Sequence, residues 1–217
     1  MLIYTSNADG DKLDHVQRLG MGILLANSAN RGPSRRYRDV PCALDNGAFQ
    51  CWRRGFPFQA DVFRRTLAEA YRLGLSLDFI VCPDIVAAGR LSLEFSLQWR
   101  AGKLVSAPRV AFVVQDGMTC QDLSENSVPD KFSHLFVGGT LEWKWKTAPM
   151  WVDYAHYHKM KAHIGRCGTY ERLKQADAMK ADSVDSSSFA RNDSWHIIEE
   201  FMGITQHPLF TTIGKDQ

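Results

Sequence analysis

The chain lacks the marks of several protein classes. Five cysteines stand at 42, 51, 82, 120 and 167; the number is odd and no CxxC pair occurs. Neither a disulfide framework nor a cysteine-rich zinc site is expected, and the thiols read as those of a reduced, cytoplasmic protein. No apolar run approaches the ~18 residues a membrane-spanning helix needs. The opening MLIYTSNADGDKLD turns polar and acidic before a signal-peptide core could form, so no secretory leader is expected. Charge of one sign is also missing: 26 Lys and Arg against 24 Asp and Glu leave +2, which excludes a polycation but not a local basic face. No internal repeat and no linker divides the sequence. What remains is an ordinary globular composition, 45% hydrophobic and 23% charged, unlike a disordered tail or a fibre. The 217 residues fit a single α/β domain over 1–217.

Short apolar runs rich in β-formers recur at 2–5, 22–26, 42–44, 78–82, 110–114, 134–137, 161–164 and 182–184, as buried parallel strands should. Amphipathic stretches lie between them. Over 59–73, Phe63, Leu67, Ala70 and Tyr71 share one helical face. A second helix is predicted at 169–180, with Thr169 as N-cap and Tyr170, Leu173 and Ala176 inward. A third, capped by Asp193 or Ser194, would bury Ile197, Ile198 and Phe201. Segments 27–40 and 116–129 read as long loops. This strand–helix alternation predicts a small (βα)8 TIM-type barrel, with an open doubly wound sheet as the alternative.

The strand ends carry the chemistry. The third runs into Asp45-Asn46-Gly47-Ala48-Phe49-Gln50, the fourth into Pro83-Asp84, the fifth into Gln115-Asp116-Gly117, the sixth into Gly138-Gly139-Thr140 and the eighth into Asp185-Ser186-Ser187-Ser188. In a barrel these positions meet on one rim, where active sites sit. Any one of them alone is also an ordinary turn residue. Paired carboxylates suit glycosidic chemistry, one attacking an anomeric carbon and the other moving a proton. A Gly-Gly turn admits a planar ligand close to the backbone. Gln or Asp can read a heterocycle's edge, and Phe49 can stack on its face or serve as a core aromatic.

These motifs resemble those of the tRNA-guanine transglycosylases. ALDNGAFQ (43–50) is similar to their DSGGFQ, VCPDIV (81–86) to their base-binding Asp strand, and VVQDG (113–117) to IVQGG. VGGT (137–140) resembles GGL, IGRCGTYERL (164–173) resembles MGVGTPEDL, and ADSVDSS (181–187) resembles the nucleophile strand VDMFDCV. The family exchanges guanine in a polynucleotide for a 7-deazaguanine. The resemblance implies Asp185 as nucleophile, with Asp182 as the alternative, and Asp45 as general acid and base. It implies that Asp84 and Gln115 read the base edge, that Gly138 and Gly139 meet its carbonyl region, and that Phe49 and Ile164 sandwich the ring. Asn46 takes the place of a base-contacting Ser. Neither a redox cofactor nor a metal is called for.

Two departures from the family pattern bear on the substrate. The tRNA enzymes carry a zinc site of three cysteines and a histidine after the nucleophile, whereas the last cysteine here is Cys167. Only 32 residues follow Asp185, too few for the RNA-binding domains of the archaeal enzymes. A barrel without the zinc-binding subdomain resembles the DNA-modifying branch of phages and bacterial islands. DNA and a free 7-deazaguanine base are therefore the expected partners, with tRNA as the alternative.

A polyanion needs cations. Arg31, Arg35, Arg36 and Arg38 fall in one expected rim loop, with Arg53 and Arg54 soon after Asp45. Lys144 and Lys146 alternate with Trp143 and Trp145, a pattern that can contact phosphate and stack on a base, or simply form a solvated loop over buried tryptophans. His156, His158 and His163 lack the carboxylate spacing of a metal site. Two rivals stand beside the exchange reaction: an inactive nucleic-acid-binding barrel, and a phosphate-binding barrel acting on a small metabolite. The second wants a lysine at a strand end and a Gly-rich phosphate loop.

Overall fold

Eight short parallel strands can bury both of their faces between two layers of helices or by closing on themselves and wrapping the outside in helices, and closure also removes the sheet edges. A computed structural model, describing residues 1–26 and 32–204, shows this arrangement: a closed barrel in sequence order, β1 to β8. The strands are β1 (Leu2–Thr5), β2 (Gly22–Leu25), β3 (Cys42–Leu44), β4 (Leu77–Val81), β5 (Val110–Val114), β6 (His134–Val137), β7 (Lys161–Ile164) and β8 (Ser183–Asp185). β1 closes the ring by pairing with both β2 and β8. The (βα)8 barrel is thus the fold, and the open sheet is not.

Period-two alternation sorts the strand residues. One set, Tyr4, Leu24, Ala43, Phe79, Val81, Ala111 and Val113, packs together inside the barrel. The other, including Ile23, Cys42, Leu44, Ile80, Phe112, Leu135, Ile164 and Val184, faces the helices. The interior floor is partly polar. The Tyr4 hydroxyl donates to Asp78 Oδ2 at 2.6 Å, and the fully buried His163 sits among Tyr4, Phe79 and Phe136.

Around the outside run α1 (Asp11–Arg18), α2 (Ala48–Arg53), α3 (Ala60–Arg72), α4 (Gly89–Ala101), α5 (Cys120–Glu125), α6 (Val128–Lys131), α7 (Leu141–Tyr157), α8 (Tyr170–Ala178), α9 (Ser188–Arg191) and α10 (Trp195–Phe201). α3 buries Phe63 and Ala70 as its periodicity predicts, but Tyr71, at the edge of that face, stays 51% exposed. Thr169 caps α8, its hydroxyl accepting from the Arg172 backbone N–H. Ser194 occupies the N-cap of α10 without a side-chain bond. Segment 116–129 is not a loop throughout. It contains α5, started by a capping box in which Thr119 and Asp122 satisfy each other's backbone N–H groups. Between β2 and β3 the described return segment has only a single 3-10 turn, Arg35–Tyr37. Among the described residues no helix is long and apolar enough to cross a membrane.

Candidate active site

The inward register of these strands, followed to or just past the C-terminal end, names the floor of a cavity. After Ala43 comes Asp45, after Val113 comes Gln115, after Phe136 comes Gly138, and after Ser183 comes Asp185. All four line one cavity of about 690 Å³ at the C-terminal mouth of the barrel, together with Asn46, Phe49, Asp84 and Gly139. That volume lies in the range of sites that hold a small molecule.

Asp84 sits at the centre of a polar network and is only 5% exposed. Asn46 Nδ2 donates to its Oδ1 at 2.6 Å, and Gln115 Nε2 donates to its Oδ2 at 2.5 Å. Asn46 also donates to the Cys82 carbonyl and accepts from the Ala48 N–H, both at 2.7 Å. Its polar atoms are therefore engaged by the protein, and it orients Asp84 rather than offering a free group to a ligand. Gln115 is fixed from its other side, Oε1 accepting from the Ala87 N–H at 3.0 Å. Burial pushes the Asp84 carboxyl up to about 7; the charge of Asp45 adds to the rise, and the two amide donors oppose it.

Asp45 is raised to about 6, first by burial and then by the charge of Asp185, against donation from the Gly47 and Asn46 backbones. A carboxyl held near 6 can both give and take a proton near neutrality. Asp185 is held differently. Its Oδ1 lies 3.1 Å from His163 Nε2, and His163 Nδ1 lies 2.8 Å from the Ser183 hydroxyl. The histidine anchors this carboxylate from inside the barrel, a role that spacing along the chain could not reveal.

The two glycines after β6 line the cavity, and packing alone already requires them. A Cβ on Gly138 would come within 2.7 Å of Val113 Cγ1, and one on Gly139 within 2.5 Å of Asp116 Oδ2. Asp116 occupies that space because it receives the Thr140 N–H at 2.8 Å, tying the end of β5 to the start of α7.

Several expected site residues lie elsewhere. Ile164 is fully buried on the helix-facing side of β7, because the alternation that turns His163 inward turns its neighbour outward. It cannot sandwich a ring with Phe49. The Phe49 ring is instead covered by the Arg166 guanidinium, 4.4 Å from its centroid. Asp182, the alternative nucleophile, lies at the N-terminal end of β8, bonded to His156 and to the Ala162 N–H at 2.9 and 2.8 Å. Arg38 donates to the Leu73 carbonyl at the C-terminal end of α3, and Arg35 acts on nearby Glu69. With Arg36 between them, these arginines accompany the chain back toward the far end of the barrel and do not line the cavity. Arg31 lies outside the described residues.

Arg53 and Arg54 do line the mouth, exposed at the end of α2. The Trp143–Lys146 stretch is helical, so its alternation does not form one face. Lys146 is exposed on α7 away from the cavity, whereas Lys144 is 1% exposed and lines it. Lys144 Nζ donates to the Gly165 carbonyl at 2.5 Å. Burial, with Arg166 nearby, lowers its ammonium to about 7. A surface phosphate contact is thus replaced by a buried lysine in the wall.

Arg166, Arg172 and Arg191 line the same mouth and were not singled out from sequence. Arg166 carries a signal in the sequence, since it follows β7 inside IGRCGTYERL at a strand end. No protein-family model matches the chain, and no curated protein matches it.

Proposed function

We propose that the protein is a base-exchange transglycosylase that replaces guanine in DNA with a 7-deazaguanine through a covalent Asp185–glycosyl intermediate. The observation that carries this reading is the convergence of Asp45, Asp84 and Asp185 in one cavity, each in a different environment. Two carboxyls shifted upward beside one anchored by a histidine provide a proton carrier, a base-edge acceptor and a nucleophile.

In this mechanism the target nucleoside is flipped into the cavity. Asp84, held by Asn46 and Gln115, accepts N–H bonds from the guanine edge. Asp185 attacks C1′ as the C1′–N bond breaks, and the departing guanine takes a proton from Asp45. The 7-deazaguanine then occupies the vacated space. Asp45 removes its ring proton, and the ring nitrogen attacks C1′, releasing Asp185. Two inversions retain the configuration. The His163 contact fixes Asp185 Oδ1 and leaves Oδ2 for the sugar carbon. Support for the polynucleotide comes from the exposed Arg53 and Arg54 at the mouth, where phosphates would pass.

Mass spectrometry of nucleosides from DNA and from tRNA, each incubated with the protein and candidate 7-deazaguanines, tests this reading. Appearance of the deazanucleoside in DNA is the expected result. Modification of tRNA alone would keep the chemistry and overturn the DNA assignment. No modification of either, and no denaturation-resistant adduct, would favour the inactive nucleic-acid-binding barrel.

A further inference from the structure

The cavity is divided by charge. On the β3–β5 side stand Asp45, Asn46, Asp84 and Gln115. On the β6–β8 side stand Lys144, Arg166, Arg172 and Arg191, against the single carboxylate of Asp185. Among the described residues none of these four cations is in an ion pair with a carboxylate within 4.0 Å. Lys144 spends one donor on the Gly165 carbonyl, Arg166 one on the Gly139 carbonyl, and Arg172 lies 5.8 Å from the Trp145 ring. Lys144 is buried, Arg166 and Arg172 are half-buried and Arg191 is exposed; with Asp185 as the one carboxylate among them and Asp116 acting on Arg166, the cations outnumber the opposing charge, repel one another and lose hydration. Such a cluster persists where a ligand's charge completes it.

The backbone supports the same conclusion. Arg166 has φ +64°, a left-handed conformation that an L side chain rarely adopts. Glycines flank this turn at 165 and 168, yet an arginine occupies the strained position. Gly168 lets the turn approach the β8 loop so closely that a Cβ there would lie 2.5 Å from the Ser188 hydroxyl and 2.6 Å from that of Ser186. The Ser186 and Ser188 hydroxyls are bonded to each other at 2.7 Å and leave one hydroxyl donor for the cationic wall. Loops after the seventh and eighth strands of such barrels are a recurrent place for oxyanions.

We infer that the β6–β8 side of the cavity is an oxyanion subsite, formed by Lys144, Arg166 and Arg172 with the Ser186 and Ser188 hydroxyls, that takes a phosphate or carboxylate group of the substrate. Under the proposed exchange reaction, which this inference extends, the anion comes from one of two sources. It is the phosphodiester beside the flipped nucleoside, or a carboxylate carried by the incoming base. Bound there, it would lie beside the cavity wall that holds Asp185 and would orient the sugar or the ring for attack.

The test is binding, read separately from exchange. Inorganic phosphate is titrated into the whole protein by calorimetry, with Lys144→Met and Arg172→Ala as two independent variants and Arg36→Ala as the control. Saturable binding is expected, weakened about tenfold or more in each of the two variants and unchanged in Arg36→Ala. A short single-stranded oligonucleotide and a 7-deazaguanine bearing a carboxylate, set against one bearing an aminomethyl group, identify the source. Weakening confined to the oligonucleotide assigns the subsite to the strand; weakening confined to the carboxylated base assigns it to the incoming base. Phosphate that does not bind, or binds equally well to wild type and both variants with circular dichroism showing folded protein, overturns the subsite. Either result is independent of whether nucleosides are exchanged.

Discussion

Asp182 and Asp185 belong to one strand region, yet they serve opposite ends of the barrel. Asp182 bonds His156 and the Ala162 backbone below β8, while Asp185 lines the cavity above it. The arginines divide in the same way: Arg38 ties down the end of α3, whereas Arg53 and Arg54 rim the mouth. Residue type does not separate these pairs. Strand polarity does, because all eight strands run the same way and every strand-to-helix turn opens at one end. Groups at that end face a cavity and water, and groups at the other end close helices and connections. The first set is expected to govern chemistry and the second stability.

The largest effect expected from breaking this contrast is at β8. Asp185→Asn should abolish exchange and the denaturation-resistant adduct, whereas Asp182→Asn should retain both and lower thermal stability by about 1 kcal/mol, the worth of an ordinary hydrogen bond. An adduct trapped at the wild-type level by Asp185→Asn would reverse the assignment. Next comes Asp84→Ala, which leaves the Asn46 and Gln115 donors without their acceptor. Such a change is worth roughly 1–3 kcal/mol, so exchange should fall about 10- to 100-fold while DNA affinity changes far less. An equal fall in DNA affinity would show that Asp84 does not read the base.

A smaller effect concerns protons. Asp45, raised to about 6, must be ionised to take the ring proton of the incoming base. In the preformed adduct Asp185 is an uncharged ester and no longer adds to that rise, so the deazaguanine-attack step, measured there in single turnover, should increase with pH with a midpoint below 6 and then level off. A profile flat from pH 4 to 8 would remove Asp45 from that role. The smallest effect sharpens the comparison of arginines. Reversing Arg53 and Arg54 to Glu should weaken DNA binding and reduce its salt slope by about one for each phosphate no longer neutralised. Reversing Arg35 and Arg36 should leave affinity and slope unchanged. Equal weakening in the two double variants would place the polynucleotide on both ends of the barrel.

Much of this was legible in the chain because both signals are local. Alternating apolar runs specify short buried strands, and polar residues directly after them specify a rim; Asp45, Asp84, Gln115 and Asp185 follow from those two facts. What stayed hidden depended on direction. Lys144 looked like a surface cation until α7 turned it into the cavity wall, and Ile164 looked like a ring contact until β7 turned it outward. His163 reaches Asp185 only because β7 pairs with β8 in the register His163 to Ser183, and Arg166 reaches Phe49 only across the mouth.

The sequence by itself determined the alternation of strands and helices and which strand ends are polar, since burial patterns repeat every two or three to four residues and need no distant partner. Only the tertiary structure decided that the sheet closes, which of those groups share a cavity, which of them hold one another in place, and which cations among the described residues lack an ion-pair partner. Those properties depend on the register between neighbouring strands, which sets contacts such as Asn46 to Asp84 and His163 to Asp185, and on closure, which brings the ends of β3 and β8 to one mouth; separation along the chain carries no information about either.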